Sequence, residues 1–387
     1  MPYSSSELDF LLSHPEAVEA AQQYPLTKKS ELADLTALRK QYGENARALV
    51  ELVRARALAR KKIHGGDAWM LDGPSAQQAT PGVVADVRAA HLREFGVQRV
   101  TDVTCSVGTE LAAMQRAGID ALGSDLDQIR LRMARENVPE VPVVRADALQ
   151  PVTREGVVIA DPARRGTSGR IHRIDQLMPP LPELVEAYRG RELAVKCAPG
   201  IDFADVVEWA GQIDIVSVDG DVKEACVYTP GLAKVGRRAV LLRGDRTLVV
   251  TDAQPDDIPE KPLGDFVFDV DGAIVRAGLV RHVAHQHGLW QLDPRIAYLT
   301  GDSVPDGETG LRAFVVHQQV PLKQLKSALQ GVNAGAVEIL VRGVDVDPDQ
   351  LRKKLKLRGS ESWSVMITRV GISATAIVCQ PVMREKL

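Results

Sequence analysis

Between residues 76 and 245 the chain alternates short apolar runs with helical segments, and several of those runs end in an acid beside a tight-turn residue. Residues 100–103, 119–124, 141–145, 157–160 and 193–197 read as strands. Residues 109–117, 126–137 and 203–210 carry helical spacing. Strands separated by helices pair in parallel through right-handed crossovers, so the expected fold class is α/β with a doubly wound, mainly parallel sheet. Runs at 213–218, 225–228 and 239–243 are joined by glycine-containing connections too short for a helix, which predicts an antiparallel hairpin at the sheet edge.

Such a sheet binds its ligand outside the carboxyl ends of its strands, and the acids fall there. Asp102 ends the first strand and leads into Thr104-Cys105-Ser106-Val107-Gly108-Thr109-Glu110, a glycine-type turn that lets backbone approach a ligand closely. Asp125, followed by Leu126 and Asp127, ends the second; a carboxylate there can accept both ribose hydroxyls of an adenosine. Asp147 and Ala148 follow the third strand, where the acid can accept from an adenine amino group, and Asp161-Pro162 follows the fourth. One acid at a strand end is commonly a helix cap. Acids at successive strand ends point instead to one shared ligand. The dinucleotide fingerprint is absent, because Ser106 stands at its first glycine position. Glu110 in the loop would repel a pyrophosphate, yet it suits the cationic sulfonium and amino group of S-adenosylmethionine.

The loop Asp161-Pro162-Ala163-Arg164-Arg165 is of the type that base methylases place beside the transferred methyl group. In amine methylases the pattern is Asp/Asn-Pro-Pro-aromatic: the acid and a proline carbonyl accept from the amino group and the ring stacks on a flipped base. Here Ala163 and Arg164 replace the second proline and the ring. An arginine plane can stack on a base or hold a phosphate; the alternative is a strand-end turn whose arginines form salt bridges. Uracil C5-methylases with arginine-containing loops attack C6 with a cysteine after the fifth strand, and Cys197 sits near that place beside Lys196. A covalent route needs a thiolate and a base; a small buried cysteine is the other reading. Lys196 itself reads as a substrate or cofactor contact.

At 387 residues the chain exceeds one ordinary core, so several domains are expected. Residues 1–75 read as a helical region whose segment 44–62 carries Arg54, Arg56, Arg60, Lys61 and Lys62, either a solvated helix face or a phosphate-facing stripe. The doubly wound part takes 76–250, and 253–264, rich in Pro and Asp, reads as a linker. An α+β tail follows, with strands at 266–270, 314–316, 336–341, 364–369 and 374–379 and helices at 278–287, at 322–329 and from Asp347 to a stop at Gly359. Its run Arg352-Lys353-Lys354-Leu355-Lys356-Leu357-Arg358 leaves Lys353, Lys354, Lys356 and Arg358 outward, with Lys323, Lys326 and Arg342 nearby in sequence, a candidate contact to RNA phosphates. A net charge of −3 supplies no global basic field, so nucleic-acid contact has to be local. Cys105, Cys197, Cys226 and Cys379 form no CxxC pair, and His282, His285 and His287 lack supporting ligands; neither disulfides nor a metal is expected. No apolar run is long enough to span a bilayer and the polar start is no signal peptide, so a cytoplasmic protein without a membrane role is expected.

These motifs, with Gln77-Gln78-Ala79-Thr80 and Val195-Lys196-Cys197-Ala198-Pro199-Gly200-Ile201-Asp202, resemble a bacterial class I methyltransferase family. Arg173-Ile174-Asp175-Gln176-Leu177-Met178-Pro179-Pro180, Arg276-Ala277-Gly278-Leu279, Tyr298-Leu299-Thr300 and Val341-Arg342-Gly343 extend the match over residues 65–385. The family resembled carries a ferredoxin-like insert and a C-terminal THUMP-like domain, here 262–317 and 318–387. The resemblance implies a seven-stranded class I sheet, dependence on S-adenosylmethionine and, through THUMP relatives, tRNA or rRNA as substrate. Asp102, Thr104, Ser106, Gly108, Asp125, Leu126, Asp147 and Ala148 are then the cofactor residues, and Asp161, Pro162, Arg164, Arg165 and Lys196 the catalytic set. Two rivals remain open: an RNA-binding protein that has lost catalysis, and a methyltransferase of proteins or small molecules.

Overall fold

The computed structural model describes residues 3–164 and 174–382, without the side chains of Arg164 and Asp175. The chain divides into two compact units, Met1–Gly211 with Cys226–Ala233, and Gln212–Ala225 with Lys234–Leu387.

The first unit opens with helices α1 (Ser5–Ser13), α2 (Pro15–Gln22), α3 (Glu31–Tyr42), α4 (Ala46–Ala59), α5 (Gly73–Gln78) and α6 (Gly82–Glu94). A capping box starts α1, with Ser4 accepting from the Glu7 amide and Glu7 from the Ser4 amide. The early helices share one core with the sheet region: Leu8, Leu11, Leu38, Leu49 and Leu52 cluster with Val107, Leu111, Leu131 and Met133. Burying each such leucine is worth about 1.5–3 kcal/mol, so the helical region is held as part of this unit. The cations of α4 and of the residues just past it are largely spent on structure. Arg54 pairs with Glu31, Arg56 donates to the carbonyls of Trp69 and Ala68, and Lys62 donates to those of Ala76 and Gln77. Arg60 and Lys61 are exposed.

Then come β1 (Arg99–Asp102), α7 (Thr109–Arg116), β2 (Asp120–Asp125), α8 (Gln128–Asn137), β3 (Val143–Arg145), β4 (Val157–Ala160), β5 (Ala163–Arg164), β6 (Leu177–Met178), α9 (Leu181–Ala187) and β7 (Leu193–Cys197). Next in the chain are β8 (Gln212–Val218), β9 (Asp221–Tyr228), β10 (Arg237–Arg243) and β11 (Arg246–Thr251). The hydrogen-bonded order is β11-β10-β8-β9-β7-β4-β1-β2-β3. β1 lies between β2 and β4, parallel to both. The sheet is therefore mixed and nine-stranded, which corrects the seven-stranded expectation. The unforeseen strand is β11, antiparallel to β10; with Val250 its only fully buried side chain, it lacks a clear apolar pattern.

Two helices also differ from expectation. α8 begins at Gln128 because Asp127 caps it, accepting from the amides of Ile129 and Arg130. The run 203–210 makes only a 3₁₀ turn at Phe203–Asp205; Val206 alone is fully buried there, too little apolar surface to hold a longer helix.

The second unit adds β12 (Phe266–Val270), α10 (Gly272–Arg276), α11 (Val280–Gln286), β13 (Trp290–Gln291), β14 (Tyr298–Gly301), β15 (Leu311–Pro321), α12 (Leu325–Gly331), β16 (Ala334–Val341), α13 (Pro348–Leu355), β17 (Glu361–Val370) and β18 (Ser373–Pro381). They form a second sheet, β13-β14-β12-β15-β18-β17-β16, antiparallel except between β16 and β17. β15 runs through position 317 with an irregularity between Val316 and Gln318. The helix expected at 278–287 is α11, and a further short helix, α10, precedes it across Gly278 at φ +70°. α13 ends before Gly359, at Leu355, with Lys356 in the left-handed region. Gly359 answers a different need: a Cβ there would meet the Asn333 carbonyl oxygen at 1.9 Å.

Candidate active site

The carboxyl ends of β1, β4 and β7 converge on a small polar network. Asp102, at the end of β1, is 3% exposed. Burial pushes its carboxyl up to about 8 and the nearby Glu110 adds to the rise, opposed by the Thr104 amide, which donates to Oδ1 at 3.0 Å. Thr104 Oγ1 in turn accepts the amide of Asp161, just past β4, at 2.7 Å. Lys196, on β7, donates from Nζ to Asp161 Oδ2 at 2.7 Å and to Thr80 Oγ1 at 3.1 Å. The Lys196 side chain is 17% exposed and that of Asp161 42%, so the pair is half-screened with the acid facing outward. Pro162 is buried.

Along the neighbouring turn, Ser106 sits at φ +48°, its amide donating to Asp125 Oδ2 at 2.9 Å and its hydroxyl accepting from Arg130 Nη1 at 3.0 Å. Gly108, at φ +94°, hands the chain to α7; a Cβ there would lie 3.0 Å from Val138 Cγ2. Asp125 Oδ1 also accepts the Asp127 amide at 2.9 Å. Leu126 is 56% exposed, an uncovered apolar side chain beside a carboxylate. Asp147 is exposed and accepts from the Leu149 amide, while Ala148 is buried and its carbonyl accepts from Tyr188 Oη. Asp147 thus makes a local turn bond, and Asp125 one local bond and one that ties it to the turn after β1, but each carboxylate oxygen has further lone pairs to offer.

Glu110, on the first turn of α7, is buried and pairs with Arg88 of α6 through Oε1, while Oε2 has no partner among the described residues. An orphaned carboxylate oxygen beside an acid driven toward neutrality is a place that would welcome a cation. The residues present therefore fit the amino group and sulfonium of S-adenosylmethionine, with a ribose acceptor at Asp125 and an apolar cover at Leu126. Sequence reasoning named Glu110 but gave no role to Thr80, Arg88 or Arg130. Arg88 was open to detection, since it falls on the buried stripe of α6 with Val84, Ala85, Ala89 and Leu92.

The backbone of Arg164 pairs with Leu177 in the β5–β6 ladder. Arg165 lies outside the described residues. Cys197 follows Lys196 in the same strand, so the two side chains leave opposite faces, and Cys197 is buried. Within the second unit, Lys353 and Lys354 project from α13 and are exposed, as are Lys356, Arg358, Lys323 and Lys326. Arg342 is otherwise engaged, bonded to Asp269 and the Val270 carbonyl and lying over the Tyr298 ring. His282 donates from Nδ1 to the Gln254 carbonyl, and His285 sits beside Asp257. Among the described residues no His, Cys, Asp and Glu group could hold a metal ion, and no helix is long and apolar enough to cross a membrane.

The parallel strands β7-β4-β1-β2-β3, with acids at successive strand ends around a glycine turn, define a nucleotide-cofactor enzyme of the α/β class. Two proteins of Mycobacterium tuberculosis, from strains CDC 1551 / Oshkosh and H37Rv, each named an uncharacterized S-adenosylmethionine-dependent methyltransferase, are 44% identical to this chain over 364 residues. The match spans 89% of this chain and 99% of theirs, and the chain belongs to this family of S-adenosylmethionine-dependent methyltransferases. Residues 311–381 match the family model described as THUMP domain-like. In fold the chain is similar to the crystal structure of a protein assigned as a methyltransferase from Porphyromonas gingivalis W83, with a TM-score of 0.74 at 19% identity, covering 99% of this chain and all of that one.

Proposed function

We propose that the chain methylates a base in structured RNA, tRNA or rRNA. The observation that carries the reading is the Lys196–Asp161–Thr104 network, which sets a half-exposed carboxylate beside the cofactor-type turn. When bound, S-adenosylmethionine supplies a methyl group already activated on a sulfonium, so the protein's task is alignment. Asp102 and Glu110 meet the amino group, Asp125 accepts from the ribose hydroxyls, and Leu126, Asp147 and Ala148 border the adenine. The turns at Thr104, Ser106 and Gly108 keep the backbone close.

At the acceptor side, Lys196 neutralises Asp161 Oδ2, and Thr104 fixes the Asp161 backbone. Oδ1 makes no hydrogen bond among the described residues and is left to accept from the N–H of an acceptor base and to take its proton. The carbonyl of Pro162 is a second acceptor for that group. Arg164 occupies the motif position where a stacking ring is usual, and Arg164 and Arg165 are assigned to hold the base or a flanking phosphate. The THUMP-like segment and the exposed Lys353, Lys354, Lys356 and Arg358 support RNA as partner: such cations bind phosphates and position the substrate without reading bases. In this reading 76–250 is the catalytic domain and 262–317 and 318–387 form the substrate-holding tail.

Mass spectrometry of nucleosides from total RNA of cells with and without the gene tests the proposal. One methylated nucleoside should disappear with the gene and return with the parent protein, but not with Asp161→Asn. An unchanged nucleoside profile would overturn it.

A further inference from the structure

Thr80 lies outside every motif that the cofactor turn or the Asp161 loop explains, yet it is 2% exposed and its hydroxyl accepts from the Lys196 ammonium. An ammonium on a four-carbon stem is a mobile point charge with three donors. A single partner at Asp161 fixes its distance but leaves its direction free. A second acceptor at 3.1 Å, itself buried, fixes the direction as well.

The segment that delivers Thr80 is bolted to the N-terminal helices. Lys62, just past α4, donates to the carbonyls of Ala76 at 3.3 Å and Gln77 at 2.5 Å, and its own carbonyl accepts the Gly82 amide at 2.8 Å. Glu51 of α4 accepts the Gly73 amide at 3.0 Å, and Arg56 holds the Trp69 carbonyl at 2.9 Å. Asp72 and Ser75 close a capping box between these anchors. Position 80 is therefore set from both sides by α4 and the residues just past it, whose cations serve backbone carbonyls in the run that leads to the site.

We propose that Thr80 is a positioning residue for methyl transfer, and that the N-terminal helices serve the chemistry by holding its hydroxyl against Lys196. The inference rests on the roles given above to Asp161 and Lys196. It assigns the helical region to the catalytic site, acting through one hydroxyl and one ammonium on one carboxylate.

The test is a double-mutant cycle in the full-length protein. Turnover is read as label passed from methyl-tritiated S-adenosylmethionine into an unfractionated extract of cells lacking the gene, with cofactor affinity read by calorimetry. Thr80→Val should lower kcat about tenfold or more with cofactor Kd unchanged, and Thr80→Ser should restore most of it. In a Lys196→Met background, Thr80→Val should have no further effect. An equal loss in both backgrounds, or Thr80→Ser behaving like Thr80→Val, makes the residue merely structural and overturns this inference alone. Full turnover in Lys196→Met, or none in the parent protein, overturns the reading of the site and this inference with it.

Discussion

The hydroxyl of Thr104 accepts the backbone amide of Asp161 at 2.7 Å, so the turn after β1 and the turn after β4 form one hydrogen-bonded unit. The same residue donates its own amide to Asp102. In the proposed reading, one threonine thus registers cofactor side and acceptor side to each other. Replacing it with valine leaves a partly buried amide without its partner, a cost of about 1 kcal/mol. Thr104→Val should lower the urea midpoint accordingly and reduce turnover, and Thr104→Ser should recover both. Equal behaviour of the two variants would show that the hydroxyl is idle.

Asp161 is expected to act on the acceptor and not on the cofactor. Asp161→Asn should lower turnover by about 100-fold, the low end for a positioned acid or base. Calorimetry should find S-adenosylmethionine affinity little changed. A large loss of cofactor affinity would move Asp161 into the cofactor site.

The pair of Arg88 and Glu110 is buried on both sides. Removing one partner leaves a charge without compensation, and Arg88→Met should destabilise the fold by about 3–5 kcal/mol. The double variant Arg88→Met with Glu110→Gln should regain much of that loss, measured by urea denaturation. If the single variant is as stable as the parent, the pair does not hold α6 to α7.

Asp102 should make stability depend on pH. Burial and the charge of Glu110 keep its carboxyl protonated in the folded chain up to about pH 8. In the unfolded chain the same group releases its proton near pH 4. Between these limits the folded state binds more protons, so stability falls as pH rises through the window and levels above it, by at most about 1.4 kcal/mol per unit. Urea midpoints of the cofactor-free protein should show that slope, and Asp102→Asn should flatten it. An identical slope in the variant would place the titration elsewhere.

The sheet was legible where burial on both faces makes continuous apolar runs, as in Val157-Val158-Ile159-Ala160, every residue of which is buried in β4. It was not legible at the edge, where β11 fully buries only Val250, nor at 203–210, where helical spacing has almost nothing to pack against. Asp102 and Asp125 could be read as candidates because each closes a strand. Thr80 could not be given a role, because its partner Lys196 is 116 positions away and only the folded chain brings them together. Arg88 shows the opposite limit. Its place on an apolar stripe was visible, but the acid that pays for its burial lies on another helix.

The most direct measurement follows label from methyl-tritiated S-adenosylmethionine through an extract of cells lacking the gene, separated after reaction into RNA, protein and small molecules. With the parent protein the label should appear in RNA nucleosides, and with Asp161→Asn it should be reduced by about 100-fold. Label recovered only in protein or in small molecules would contradict the account.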